Sequence, residues 1–255
     1  MMKNHPLTFN YDKHGHQYAS YRRTDSRIAK YVVAALSGAI SVLNVGAGAG
    51  SYEPEDKYIV AVEPSEVMRN QRHTHGKPPA LIGTAEQLPF DDDAFDASMA
   101  MVTIHHWQDL KKGLKELRRV TRNQIVIMTF DPAALDRCWT AHYFPELIQI
   151  EGSRYPSIAS ITETLGGACE VQAIPIPFDC KDGFQEAFYG RPEAFLEKGV
   201  RASQSAWGFL ASDVEATYIR RLSEDLESGA WDKAFGKYRK LTTFIGSLRL
   251  IIAKP

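Results

Sequence analysis

Short apolar runs alternate with amphipathic stretches through the first half of the chain. Residues 25–38 place Ile28, Tyr31, Val32 and Leu36 at helical spacing, with Gly38 as a stop. Ser41–Val45 (SVLNV) follows as an apolar run that ends in glycines, the pattern of a buried strand entering a tight turn. The grammar then repeats. Tyr58–Val62 (YIVAV) reads as a strand closed by Glu63, residues 65–72 as a helix, and Ala80–Ile82 and Phe95–Met101 as strands. Leu110–Thr121 carries Leu110, Leu114, Leu117 and Val120 along one face and basic residues elsewhere, which predicts an amphipathic helix. Gln124–Phe130 (QIVIMTF) is the next strand. Strands alternating with helices predict a parallel sheet covered on both faces.

After Asp131-Pro132 the rhythm changes. Residues 132–156 hold Trp139, Tyr143, Phe144 and Tyr155 without a strand pattern, and residues 157–166 read as a helix ending at Gly166-Gly167. Glu170–Ile176 alternates like a strand, with Pro175 marking an edge or an end. Residues 181–240 read as mostly helical with Gly and Pro breaks, and Phe244–Ala253 closes as a strong strand. The late helical stretch lies between strands, so it reads as an insertion rather than a separate domain.

Composition narrows the function classes. The 255 residues are 44% hydrophobic and 24% charged, which is ordinary globular usage. Thirty basic residues against 31 acidic ones give a net charge of −1, without the basic excess of a duplex-binding protein. Three cysteines (Cys138, Cys169, Cys180) without C-x-x-C spacing predict buried thiols in a reducing compartment. Neither a secretory apolar core nor a run long enough to span a bilayer is present, so the expectation is a cytoplasmic protein without a membrane or nucleic-acid partner.

The most informative segment is VLNVGAGAG, residues 42–50. Gly46, Gly48 and Gly50 follow a buried strand directly, where glycine lets the backbone turn tightly and approach a ligand. Seventeen positions after Gly46, at the end of the next strand, Glu63 offers a carboxylate that suits the two ribose hydroxyls of an adenosyl ligand. Dinucleotide enzymes prefer G-x-G-x-x-G, whereas Ser51 occupies the third glycine position of that pattern here. By itself the triplet also fits a purely structural turn.

Residues 83–109 (GTAEQLPFDDDAFDASMAMVTIHHWQD), taken with VLNVGAGAG and VAVEPSEVM, resemble the class I S-adenosylmethionine-dependent methyltransferases. Within that family the likeness is to the small-molecule group that includes the ubiquinone/menaquinone-biosynthesis C-methyltransferases. It covers about residues 40–131. The resemblance implies that Gly46, Ala47 and Gly48 pack under the methionyl part of the cofactor and that Glu63 holds its ribose diol. It places Pro64 and Met68 beside the adenine, and Met101 and Val102 near the methionine moiety. Ala85 and Glu86 match the "AE" of the family's D-A-E-x-L-P-F motif, and Thr84 replaces its leading acid. Asn44 stands where the family has an acid that orients the methionyl amino group. The fold implied is a doubly wound, Rossmann-like α/β sheet of seven strands, with the last strand, 244–253, antiparallel. A helical cap from about residues 179–240, with the 132–156 loop, would cover the acceptor.

Methyl transfer from a sulfonium is an in-line displacement, so the protein mainly positions reactants and excludes water. A histidine suits the general base that an O–H or N–H acceptor needs. His105 and His106 follow the strand Phe95–Met101, with His106 placed to touch substrate and His105 to support it; the alternative is that both pack beside Trp107. In the leading segment 1–24, an aromatic or an arginine, Tyr18 or Arg22 among Tyr11, Tyr18, Tyr21 and Arg22, is expected to close over the cofactor. His73 and His75 lie in a polar loop, and no ligand spacing points to a metal. The sequence therefore predicts methyl transfer to a small organic molecule by a monomer or homodimer. The rivals are a non-catalytic S-adenosylmethionine-binding protein and a nicotinamide-dependent oxidoreductase.

Overall fold

The computed structural model describes residues 21–255. Its centre is one six-stranded sheet. The strands are β1 (Ser41–Val45), β2 (Tyr58–Val62), β3 (Phe95–Met101), β4 (Thr121–Phe130), β5 (Ala168–Ala173) and β8 (Leu248–Lys254), in the order β2-β1-β3-β4-β8-β5. The first four are parallel, and β8 runs antiparallel to both β4 and β5. Two short strands, β6 (Ile176–Pro177) and β7 (Thr243–Phe244), form a separate antiparallel pair.

The sheet has six strands rather than the seven expected. Ala80–Ile82 forms only an isolated bridge at Leu81, whose N–H reaches Ala61 O (2.8 Å) and whose carbonyl accepts from Glu63 N (3.0 Å). Pro78 and Pro79 just before it supply no N–H, and Ile82 is 76% exposed, so neither a ladder nor a buried face extends the pairing. The closing strand also begins later than 244, because Phe244 pairs with Ile176 in the small sheet.

Alternation of side chains builds two hydrophobic layers. Val126, Met128, Leu248 and Leu250 face one side, against Ile28 and Val32 of α1 (Ser26–Ala35) and its C-cap Leu36. Ile125, Ile127, Ile251 and Ala253 face the other, against α3 (Leu110–Val120) and α5 (Ile158–Leu165). These strands are buried on both faces, which is why their sequences read as continuous apolar runs.

Residues 132–156, for which no element is expected, hold α4 (Pro145–Arg154). Residues 181–240, expected to be mostly helical, are largely short 3₁₀ turns besides α6 (Ser212–Glu227) and α7 (Ala230–Phe235). Buried aromatic rings hold these turns together. Trp139 meets Tyr143, Phe144, Phe195 and Trp231 edge-on and donates its indole N–H to Tyr189 O (2.8 Å). This cluster is continuous with the α1 side of the sheet.

Candidate active site

The strand order reverses between β1 and β3, and open α/β sheets bind ligands outside the carboxyl ends of the strands at such a point. Three loops meet there: residues 46–50 after β1, 63–65 after β2 and 102–106 after β3. Gly46 (φ +67°) and Gly48 (φ +52°) adopt left-handed backbone, and a Cβ on Gly46 would lie 2.2 Å from Thr103 Oγ1. The N–H groups of Gly46 and Ala47 donate to Val62 O (2.9 and 3.1 Å), which pins the turn to the end of β2.

Glu63 locks the first two loops together. Its Oε2 accepts from Gly48 N and its Oε1 from Ser65 N, both at 2.8 Å. Ser65 in turn caps α2 (Glu66–Thr74) by accepting from Met68 N (3.2 Å), which turns Met68 towards the same cleft. The cleft encloses about 1440 Å³ of empty space, counting the part open to solvent. Gly46, Ala47, Gly48, Glu63, Pro64, Met68, Thr84, Ala85, Glu86, Met101, Val102 and His106 all line it.

Other residues singled out in the sequence lie elsewhere. Asn44 does not line the cleft: its amide donates to Glu53 Oε1 (2.8 Å), which also takes Nη1 of the fully buried Arg72 (2.6 Å). It therefore braces the floor of the turn. Glu86 reaches the cleft but also accepts from Gln108 N and Asp109 N (2.8 and 3.2 Å), fixing the start of α3. Arg22 pairs with Asp182 (2.5 Å), where Tyr52 also donates (2.8 Å), and faces a second cavity rather than the cofactor cleft. Tyr18 and Tyr11 lie outside the described residues.

That second cavity encloses about 530 Å³ of empty space, counting the part open to solvent, and shares a single described residue with the cleft, Val102. Val102 has φ +51°, a costly conformation for a β-branched residue, and its N–H donates to Met128 O (2.7 Å). Arg22, His105, Glu151, Tyr155, Glu186 and Gln204 are among the chamber's lining residues. His105 and His106 sit on one 3₁₀ turn with ring centroids 3.8 Å apart, and His105 also meets Tyr155 at 4.2 Å. Burial, aided by the nearby charges of Arg154 and Arg22, pushes the His106 pKa down to about 3. Burial, the neighbouring His106 and the same arginines depress His105 strongly. Both imidazoles are neutral at physiological pH.

No sequence signal marks the chamber's other polar groups. Glu186 accepts Ser247 N–H and Oγ–H (2.8–3.0 Å), yet burial outweighs those bonds and raises its pKa to about 7. Glu151 and Arg154 lie on α4, which has no motif spacing. Among the described residues no group of three or more His, Cys, Asp or Glu side chains is placed to hold a metal. No described helix is long and apolar enough to cross a membrane.

An open sheet with a glycine turn after β1 and a carboxylate after β2 defines an α/β domain of the layout that nucleotide-binding folds share. Residues 43–128 match the family model described as "Methyltransferase domain". The chain is 29% identical over 115 residues to the uncharacterized methyltransferase YcgJ of Bacillus subtilis, covering 41% of this chain and 42% of that one. It is 32% identical over 117 residues to the ubiquinone/menaquinone biosynthesis C-methyltransferase UbiE of Citrifermentans bemidjiense, covering 39% and 49%. The chain thus spans about half the length of the curated relatives it matches. A crystal structure from Anabaena variabilis, provisionally described as a methyltransferase from an antibiotic biosynthesis pathway, superposes with a TM-score of 0.85 at 29% identity. That match covers 92% of this chain and 99% of that one. These likenesses support a class I S-adenosylmethionine-dependent methyltransferase, with the family match confined to residues 43–128.

Proposed function

We propose that the protein transfers a methyl group from S-adenosylmethionine to a small organic molecule, leaving S-adenosylhomocysteine. The observation that carries this reading is Val102, a strained residue that borders both the glycine-floored cleft and the polar chamber. A donor in one and an acceptor in the other would meet at that wall.

The donor-side residues fit the cofactor. The turn of Gly46 and Gly48 leaves no Cβ between backbone and ligand, Glu63 is oriented by two backbone N–H groups, and Met68 offers apolar surface for a ring. When bound, S-adenosylmethionine supplies an already activated methyl group. The chain's task is then to align, dehydrate and deprotonate. Neutral His106 is the base for an O–H or N–H acceptor, taking its proton as the new bond forms; His105 packs against it and holds its place.

Residues 132–156 and 179–240 form the acceptor cap in this reading. Leu135, Glu151 and Tyr155 from the first, with Phe184, Glu186 and Gln204 from the second, wall the chamber, which supports the assignment. Incubation with methyl-labelled S-adenosylmethionine and a small-molecule extract tests the proposal. A labelled low-mass product is expected. Absence of any such product, with no heat on titrating S-adenosylhomocysteine, would overturn it.

A further inference from the structure

Arg154 is the least satisfied charge in the described structure. Its side chain is 1% exposed, and none of Nε, Nη1 or Nη2 makes a hydrogen bond among the described residues. Its guanidinium lies over the Phe209 ring at 5.0 Å from the centroid. Among the described residues its ion-pair partner is Glu151, with Nη1 3.8 Å from Oε2, too long for a hydrogen bond, and that oxygen makes no hydrogen bond there either. A guanidinium presents five N–H donors in a planar fork, and leaving them unmet in a dry interior is expensive.

Arg154 is not itself among the residues lining the chamber, but its neighbours are. Glu151 and Tyr155, on the same stretch of chain, line it, and so does His105, whose Nδ1 has no hydrogen-bond partner among the described residues. Arg22 lines the chamber too, but Asp182 neutralises it. Burial raises the Glu151 pKa above the usual carboxylate value, while the charge of Arg154 opposes that rise. The charges of Arg154 and Arg22 both depress the two buried histidines, which reports a positive field at this end of the site.

We propose that the methyl acceptor is a small organic carboxylate, with its anionic group docked on Arg154 beside Glu151 and His105 and its nucleophilic atom turned towards Val102. This rests on the methyl-transfer reading above. The planar fork matches a carboxylate in two parallel N–H···O bonds. Glu151, when protonated, adds an O–H donor to the same oxyanion, and Arg154 then has the partner the fold itself does not provide. A cationic acceptor would face a guanidinium, and a neutral one would leave its N–H donors without a charged partner.

The test is binding to the full chain, followed by thermal melting and calorimetry. The probes are salicylate, anthranilate and lactate, each paired with its uncharged amide, with benzylamine as the cationic control. All are measured with and without S-adenosylhomocysteine. At least one acid should bind about tenfold to a hundredfold tighter than its amide. Arg154→Met should erase that ratio, and Arg154→Lys should retain part of it; a merely structural arginine would lower stability without changing the ratio. If Arg154→Met does not fold, the acid-to-amide ratio of the unaltered chain decides by itself. Equal binding of acids and amides, preference for benzylamine, or no binding of any acid would overturn the proposal. Failure of the methyl-transfer reading would show separately, as no response to S-adenosylhomocysteine.

Discussion

His105 and His106 are stacked at 3.8 Å, yet they serve different spaces: His106 borders the cleft and His105 the chamber. Neighbours in sequence thus span the wall between cleft and chamber.

If His106 is the base, its depressed pKa sets the acid limb of the rate profile. A base works unprotonated, and protonation begins only near pH 3. The rate should therefore stay flat from neutral pH down to about 5, where an ordinary histidine would already have lost activity. His106→Asn should lower kcat by about 10²–10⁴-fold for an O–H or N–H acceptor. Its affinity for S-adenosylhomocysteine should be nearly unchanged. A limb near 6.5 in the unaltered protein would show that the imidazole is not desolvated.

Glu63 is predicted to govern cofactor affinity. Glu63→Ala removes the acceptor of Gly48 N–H and Ser65 N–H together with the proposed diol contact. Hydrogen bonds to a charged group contribute about 1.5–3 kcal/mol, so affinity should fall roughly tenfold to a hundredfold. Calorimetric titration of S-adenosylhomocysteine measures it.

Gly46→Ala should destabilise the fold by about 2 kcal/mol or more, through left-handed backbone strain plus the clash with Thr103. The double variant Gly46→Ala/Thr103→Gly should recover the clash and keep the strain. Urea unfolding of the set separates the two contributions.

Glu186 makes stability depend on pH in the unusual direction for a carboxyl group. Its folded pKa, about 7, lies above the ordinary 4.5, so the native state holds the proton more tightly. This contribution is complete below pH 4.5 and is lost as pH rises through 7. The shift corresponds to about 3 kcal/mol at most. Denaturant midpoints between pH 5 and 8 should fall with rising pH, and Glu186→Gln should flatten that slope. A slope unchanged in the variant would assign the effect to other groups.

The cleft was largely legible because its parts are local. A glycine turn follows its strand directly, Glu63 ends the next strand, and residues 84–86 sit in one motif, so spacing alone brings them to one end of the sheet. Asn44 shows the limit. Its position on β1 was readable, but a pairing with Glu53, itself held by Arg72 from α2, was not. The extra strand at Ala80–Ile82 was misread because three apolar residues resemble a strand whether or not their neighbours can supply ladder hydrogen bonds.

The sequence by itself determined the alternation of strands and helices, the tight turn and the carboxylate, because each is a short-range consequence of residue type. Only the tertiary structure decided that Arg22, Val102, Glu151, Glu186 and Gln204 enclose one chamber. Their meeting depends on how aromatic residues from many turns pack onto the sheet, and packing carries no period along the chain. Burial then sets the charge states of His106 and Glu186, since the free energy of an ion depends on the solvent it has lost.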